Sequence, residues 1–304
     1  MLFRNLTLYR LQQPWSGSAA DLEQALCGRP LRPCGSFDMQ TRGWVPCDEA
    51  DGALVHALGG HCLLALGQEQ KLLPAAVINQ EARSRAAQLA ATQGHPVGRR
   101  QMRELKARVA DELRARALTR RRVTHAWLAP RQGWLVVNAA APGRADELVE
   151  VLRDSLGGLP VQPLESRQAP RAAMAAWLGQ GGPPGRFALD QDLELRAVEA
   201  GGASIRYARH ALDAPEIRQH LAAGKQPVRL GLVWQERIAF VLNQNLQLCR
   251  LRFLDVYKDD HAQGEDPREQ FDIDFALMSG ELTQLLEELL AALGGVELAV
   301  RQAA

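Results

Sequence analysis

The chain has 304 residues, of which 46% are hydrophobic and 23% are charged, and its formal net charge at neutral pH is +1. This composition indicates a globular protein of about two or three domains and excludes disordered, fibrous and strongly basic proteins. No apolar stretch approaches the roughly 18 residues of a membrane span, and no signal peptide is visible. We therefore expect a cytoplasmic protein that does not cross a membrane.

Residues 1–74 form the first predicted unit, an N-terminal α+β part. Ser18 and Asp21 have the spacing of a capping box, in which each side chain accepts a hydrogen bond from the other residue's backbone N–H, and Gly28 ends the predicted helix. The predicted elements are a strand over 3–11, a helix over 18–27, a turn-rich stretch over 30–46 and a buried strand over 61–66.

Residues 75–122 are predicted to form a basic helical hairpin. Pro74 opens a predicted helix that runs to about residue 92, and glycine and proline residues end it. Apolar residues then recur at helical spacing over 100–118. Between residues 99 and 122, ten basic residues stand against three acidic ones, a local charge of +7. Guanidinium groups match phosphates through paired hydrogen bonds, so this excess predicts phosphate binding, although a merely solvated helix face has the same composition. The candidate DNA-binding residues here are Arg83, Arg85, Arg99, Arg100, Arg103, Lys106, Arg114, Arg116, Arg120, Arg121 and Arg122.

Residues 123–180 and 186–254 are predicted to be two further α+β units, joined by the glycine- and proline-rich segment 179–185. The first has predicted strands over 123–128, 134–139 and 159–164 and helices over 146–156 and 170–180. The second has predicted strands over 193–199, 204–209, 227–233, 237–242 and 246–254 and a helix over 214–223. A finger-like basic loop in the second unit carries the candidate DNA-binding residues Arg206, Arg209 and His210.

Residues 255–304 are predicted to combine an acidic loop, over 259–266, with C-terminal helices. Eleven acidic residues stand against two basic ones between 255 and 288, a local charge of −9, so the near-neutral total hides two oppositely charged regions. Leucines recur at helical spacing from Leu282 to Leu293, a pattern that suits either a core or a subunit interface. Over 271–275, apolar and acidic residues alternate, which favours a segment with one packed and one wet face.

Sequence signatures of catalysis are missing from the chain. It contains no P-loop, no dinucleotide-binding glycine motif, no serine nucleophile elbow and no HExxH motif. The five cysteines have no paired spacing, which indicates reduced thiols and matches no common zinc site. We therefore expect no enzyme, no catalytic residue, no cofactor and no metal. One alternative is a magnesium-dependent nuclease with Asp272 and Asp274 as paired carboxylates.

Five segments along the chain together resemble the bacterial RdgC family of recombination-associated proteins. They are MLFRNLTLYRL (1–11), PCGSFDMQTRGWVP (33–46), LGGLPVQPL (156–164), LGLVWQERIAFVL (230–242) and FDIDFALMSGEL (271–282). The resemblance implies a ring-shaped homodimer that encircles DNA with little sequence preference and restrains the RecA recombinase, without a catalytic site. It also implies central, base and finger-like subdomains, and it places Leu118 near a subunit interface, where relatives tend to carry an aromatic residue.

The charge pattern and this resemblance together favour an α+β fold of several small antiparallel-sheet and helix subdomains, joined by the basic hairpin into a ring-shaped homodimer. The expected function is DNA binding without sequence preference, associated with the nucleoid and steeply dependent on salt. Expected partners are double-stranded DNA, single-stranded DNA as a second candidate, a second copy of the chain, and RecA, either contacted directly or kept off the duplex. A regulator that acts only through protein contacts is the third interpretation.

Overall fold

A computed structural model of the chain describes residues 3–48, 52–198, 202–254 and 266–297. Over these residues the fold is mixed α+β, and its twelve strands pair antiparallel in two sheets. The strands are β1 (Thr7–Leu11), β2 (Gln40–Val45), β3 (Val55–Leu58), β4 (His61–Lys71), β5 (Thr119–Ala129), β6 (Trp134–Val137), β7 (Val161–Pro163), β8 (Phe187–Arg196), β9 (Ser204–Tyr207), β10 (Gln226–Trp234), β11 (Ile238–Asn243) and β12 (Leu248–Phe253). The seven helices are α1 (Ala19–Cys27), α2 (Ala75–Gln93), α3 (Arg99–Arg116), α4 (Pro142–Ser155), α5 (Pro170–Gln180), α6 (Pro215–Ala222) and α7 (Pro267–Ala292).

The first sheet has seven strands in the order β2–β4–β5–β6–β1–β7, and β3 pairs with β4 beside this path. β1 lies between β6 and β7, so the N-terminal strand is an inner strand of a sheet that draws on both the 1–74 and the 123–180 parts. One face of this sheet packs on α1 and α4. Residues two apart on a strand share a face, and Ala126 and Leu128 of β5 accordingly both lie in one core with Leu22 of α1 and Leu148 of α4.

The second sheet has five strands in the order β12–β11–β10–β8–β9. Its buried residues, such as Leu230 and Trp234, form one core with Leu63 and Trp127 from the other face of the first sheet. A bridge between Leu6 and Leu248 also connects the two sheets through backbone hydrogen bonds in both directions. The first sheet is therefore buried on both faces over most of its area.

Helix α7 supplies a large part of this second core. The leucine stripe is at most 5% exposed at every position, namely Leu282, Leu285, Leu286, Leu289, Leu290 and Leu293. Of the two interpretations left open by the leucine pattern, the core is therefore the one observed. Its neighbouring acids are also engaged: Glu281 pairs with Arg237 at 3.2 Å, and Glu288 pairs with Arg186 and accepts a hydrogen bond from Trp234 at 3.0 Å.

The predicted hairpin is confirmed and occupies a defined place in the fold. Helices α2 and α3 lie between the end of β4 and the start of β5, two adjacent antiparallel strands, so the hairpin leaves the first sheet at one end. Ala82 and Ala86 of α2 pack against Leu105 and Val109 of α3 in a small core of their own. The arginines consequently lie on the outer faces of the hairpin.

Two strands of the first sheet are absent from the sequence prediction. β2 falls within 30–46, which was predicted as turn-rich, and β3 was not predicted at all. Gly43 and Gly67 stand opposite each other in β2 and β4, where the chain at Leu31 crosses so closely that a Cβ on Gly43 would lie 2.4 Å from the Leu31 nitrogen. Gly43 therefore does not mark a turn. It lies within a regular strand, and a glycine is required there because the backbone near Leu31 passes directly over it.

The segment 271–275 is part of a helix, in which alternate residues do not share a face, so the predicted division into one packed and one wet face is wrong. It belongs to α7, which begins at Pro267 after an Asp266 N-cap whose carboxylate accepts hydrogen bonds from the Arg268 and Glu269 amides. The predicted acidic loop over 259–266 lies outside the described residues except for Asp266.

Candidate nucleic-acid interface

Part of the hairpin's positive charge is balanced within the hairpin itself. Arg85 contacts Glu81 at 2.8 Å and Glu112 at 2.7 Å, and these hydrogen bonds raise the pKa of Arg85, with Glu81 contributing most. Arg100 contacts Glu104 at 3.2 Å and Arg114 contacts Asp111 at 3.0 Å. Arg85 and Arg100 thus each pair with an acid four residues away on the same helix.

The other predicted hairpin cations make no ion pair with a described carboxylate. They are Arg83, Arg99, Arg103, Lys106 and Arg116, and the four arginines are exposed while Lys106 is half-buried. Exposed pairs contribute at most about 1 kcal/mol, so even the paired arginines can exchange a carboxylate for a phosphate. The hairpin surface can therefore bind an anion chain without breaking a buried interaction.

The triplet Arg120, Arg121 and Arg122, predicted as the end of the hairpin unit 75–122, lies in the first residues of β5, close behind α3. Successive residues of a strand point to opposite faces, so Arg121 is separated from the other two. Its partner across β4 is Glu69, whereas Arg120 and Arg122 stand opposite Gln70 and Gln68. Only two of the three arginines therefore share a surface.

The face that carries Arg120 and Arg122 is the one that α4 covers further along the sheet. Gln68, the cross-strand partner of Arg122, is itself opposite Arg42 of β2, and Arg42 contacts Glu147 and Glu150 of α4 at 3.7 and 3.6 Å. At the next row, Trp44 donates a hydrogen bond from Nε1 to Ser155 of α4 at 2.9 Å. Beyond α4, this face of the sheet carries polar side chains, and we call it the polar platform: Gln68 and Gln70 of β4 with Arg120 and Arg122 of β5.

Arg144, in the first turn of α4, belongs to the same charged region. The pKa of Arg122 lies below the ordinary arginine value, because of burial first and then because of the positive charges of Arg120 and Arg144. Arg144 was not predicted from the sequence, because no other basic residue stands near it in the chain. No local signal could have found it, since only the folded sheet brings β5 beside the start of α4.

The predicted basic loop follows β9 and is built as a tight turn. Arg206 lies in β9 opposite Glu194, and Arg209 has a left-handed backbone with φ of 54°, which turns its exposed side chain outward. His210 is held by a hydrogen bond from its amide to the Gln191 carbonyl at 3.1 Å and lies 3.5 Å from Glu216. Arg209 is the residue of this loop best placed for a phosphate contact.

Leu118 lies between α3 and β5 and is 78% exposed. The Leu118 carbonyl accepts a hydrogen bond from the amide of Leu72, whose side chain is 44% exposed. Just before β2 at the same end of the sheet, Met39 is 41% exposed and Phe37 is 88% exposed. These four side chains, the apolar rim, form an exposed apolar surface at one end of the first sheet. Such a surface is typical of a protein contact.

Asp272 and Asp274 do not form a paired carboxylate site. They are two residues apart on α7, which places them about 200° apart around the helix axis. Asp272 lies 3.3 Å from Nε2 of His56, and Asp274 accepts a hydrogen bond from Gln270 at 2.7 Å. Among the described residues, no group of three or more histidine, cysteine or acidic side chains is arranged to hold a metal ion.

The Cys47 thiol has a structural place in the core. Cys47 is buried, and its Sγ lies within hydrogen-bond distance of two carbonyls, 3.3 Å from that of Leu54 and 3.1 Å from that of Leu63. Burial raises the pKa of its thiol to about 12. Within the part of the chain that the structure describes, no helix is long and apolar enough to cross a bilayer.

Comparison with known proteins gives a consistent family. Residues 1–296 match a family model described as "Putative exonuclease, RdgC". The chain is 45% identical over 299 residues to the Recombination-associated protein RdgC of Dechloromonas aromatica, covering 97% of this chain and 98% of that relative. It is 46% identical over 298 residues to the protein of the same name from Herminiimonas arsenicoxydans, with 97% and 98% covered, and 46% identical over 299 residues to that of Burkholderia cenocepacia, with 97% and 96% covered. The chain therefore belongs to the RdgC family of recombination-associated proteins.

Proposed function

We propose that this protein binds DNA through its phosphate backbone without reading the base sequence, and that it restrains RecA-mediated recombination by occupying the duplex. The observation that carries the proposal is the set of exposed arginines with no carboxylate partner among the described residues, on the hairpin and on the polar platform of β5. Phosphate contacts position a protein on DNA but carry no sequence information. The name shared by the relatives supports a role in recombination.

We further propose that two copies close into a ring around the duplex, in the nucleoid. The apolar rim supports a contact between copies, since Leu118 and Phe37 are 78% and 88% exposed. A two-fold dimer uses the same surface on both chains, so a small apolar patch is doubled when it meets its own copy. The leucine stripe of α7 is buried and supplies no second contact, so a closing contact must come from another surface.

The test is a salt titration of binding to two labelled duplexes of equal length and unrelated sequence, followed by fluorescence anisotropy. We expect equal affinities for both duplexes and a steep fall of log K with log salt, about −0.9 for each phosphate neutralised. Absence of DNA binding, together with RecA binding that survives replacement of the hairpin arginines, would instead establish a regulator acting only through protein contacts.

A nuclease is the second candidate, because the description of the family model names an exonuclease. The divergent directions of Asp272 and Asp274 argue against the metal site that the sequence suggested. Incubation of end-labelled DNA with the protein and magnesium or manganese is expected to return intact DNA. Cleavage that disappears in a variant carrying both Asp272→Ala and Asp274→Ala would favour the nuclease.

A further inference from the structure

We propose that Arg120, Arg122 and Arg144 form one anion site that holds the DNA backbone where β5 emerges from under α4. The inference rests on the proposed DNA binding and adds a contact surface outside the helical hairpin. It also fixes which side of the first sheet the DNA follows, namely the α4 side.

The geometry of the sheet brings the first two arginines together. Residues two apart on a strand share a face and lie roughly 6.5 to 7 Å apart, so Arg120 and Arg122 project side by side. The contacts of Arg42 with Glu147 and Glu150 identify that face as the α4 side. The Asn138 amide donates a hydrogen bond to the His125 carbonyl at 2.9 Å, so the chain that leads into α4 lies beside β5 three residues from Arg122. Arg144 is in the first turn of that helix, so a strand and a helix contribute to the same site.

The site has an uncompensated positive charge. None of the three arginines makes an ion pair with a described carboxylate. Of the acids of α4, Glu147 and Glu150 contact Arg42, and Asp146 accepts a hydrogen bond from the Tyr9 hydroxyl at 2.7 Å. The first turn of α4 contains no acidic residue, so the positive end of the helix dipole is not offset there. Burial first, and then the positive charges of Arg120 and Arg144, hold the pKa of Arg122 below the ordinary arginine value.

The opposite face of the same strands shows the contrast. Arg121 faces Glu69 across the strand pair, whereas the α4 side offers Arg120 and Arg122 only the neutral Gln70 and Gln68. Glutamine amides supply N–H donors for phosphate oxygens without adding negative charge. One face of β5 thus places a carboxylate opposite its arginine, and the other, with only neutral partners, is suited to an external anion.

The first test compares Arg144→Ala with the matched control Arg131→Ala. Arg131 is exposed in the β5–β6 turn, at the far end of β5, roughly 30 Å from Arg120 by strand geometry. We expect Arg144→Ala to flatten the slope of log K against log salt by up to about 0.9 per chain, and Arg131→Ala to leave it unchanged. Equal slopes for wild type and both variants would refute the site while leaving the proposed DNA binding intact, and a wild type that fails to bind DNA would refute both.

A second test uses a variant that should change stability and DNA affinity in opposite directions. Arg144→Glu replaces a repulsion by an attraction to Arg122, so at low salt it should raise the melting temperature while weakening DNA binding more than Arg144→Ala does. A residue with only a structural role would change stability and binding in the same direction. Inorganic tripolyphosphate should likewise raise the melting temperature of the wild type more than that of Arg144→Ala, and equal shifts would contradict the site.

Discussion

The division of the arginine triplet between two faces of β5 makes a strong prediction. Arg120→Ala with Arg122→Ala removes two guanidinium groups from the α4 side, whereas Arg121→Ala removes one from the face opposite Glu69. If each of the first two neutralises a phosphate of its own, the slope of log K against log salt flattens by about 1.8 per chain and about 3.6 in a dimer. If the two share one phosphate, it flattens by half of that. Arg121→Ala should leave the slope unchanged.

The affinity change follows from the same relation. At 0.1 M salt, removal of one neutralised phosphate lowers the binding constant by roughly tenfold, so removal of two lowers it by roughly a hundredfold per chain. The decrease should be equal for unrelated duplexes, because phosphates carry no base information. Anisotropy titrations at several salt concentrations measure both quantities, and circular dichroism checks folding. A folded double variant with an unchanged slope, or an Arg121→Ala variant whose affinity falls as far, would refute the assignment of faces.

Three further predictions concern assembly, core and pH. Leu118→Asp should weaken self-association in analytical ultracentrifugation, whereas Val198→Asp, at an exposed apolar residue of another part of the fold, should not; a monomeric wild type at micromolar concentration would contradict the homodimer. Leu286→Ala in α7 should lower the unfolding free energy by about 2 to 5 kcal/mol in urea denaturation, because the side chain is buried, and a decrease below about 1 kcal/mol would contradict its place in the core. Burial lowers the pKa of His125 to about 4 from 6.5, so the unfolded chain binds the proton more tightly. Up to about 3 kcal/mol of stability should be present above pH 6.5 and be lost as pH falls toward 4, and His125→Gln should reduce that dependence.

Local signals in the sequence were sufficient for several elements. The capping box of Ser18 and Asp21 forms as predicted, and the two hairpin helices and α5 lie close to their predicted ranges. In these cases the decisive interactions are between residues near in sequence, or within one amphipathic helix. A single sequence contains that information directly.

The polar end of the first sheet could not be predicted in the same way. Hydrophobic alternation identified β5 only from Val123, because the preceding arginines and the glutamines of β4 give no apolar pattern. These residues are strand because they continue a ladder begun by buried neighbours, which is an interaction between distant parts of the chain. The position of Arg144 beside Arg122 is a consequence of the same ladder.

The hairpin of α2 and α3 has a further consequence for how the protein responds to change. Only four of its side chains are buried, and they pack on one another, so opening this unit exposes little apolar surface. Its amides should therefore exchange with deuterium well before those of β4 and β5, and bound DNA should slow that exchange. The hairpin arginines can vary at little cost to the stability of the sheets, so under the proposed function the strength of DNA binding and the stability of the fold can evolve separately.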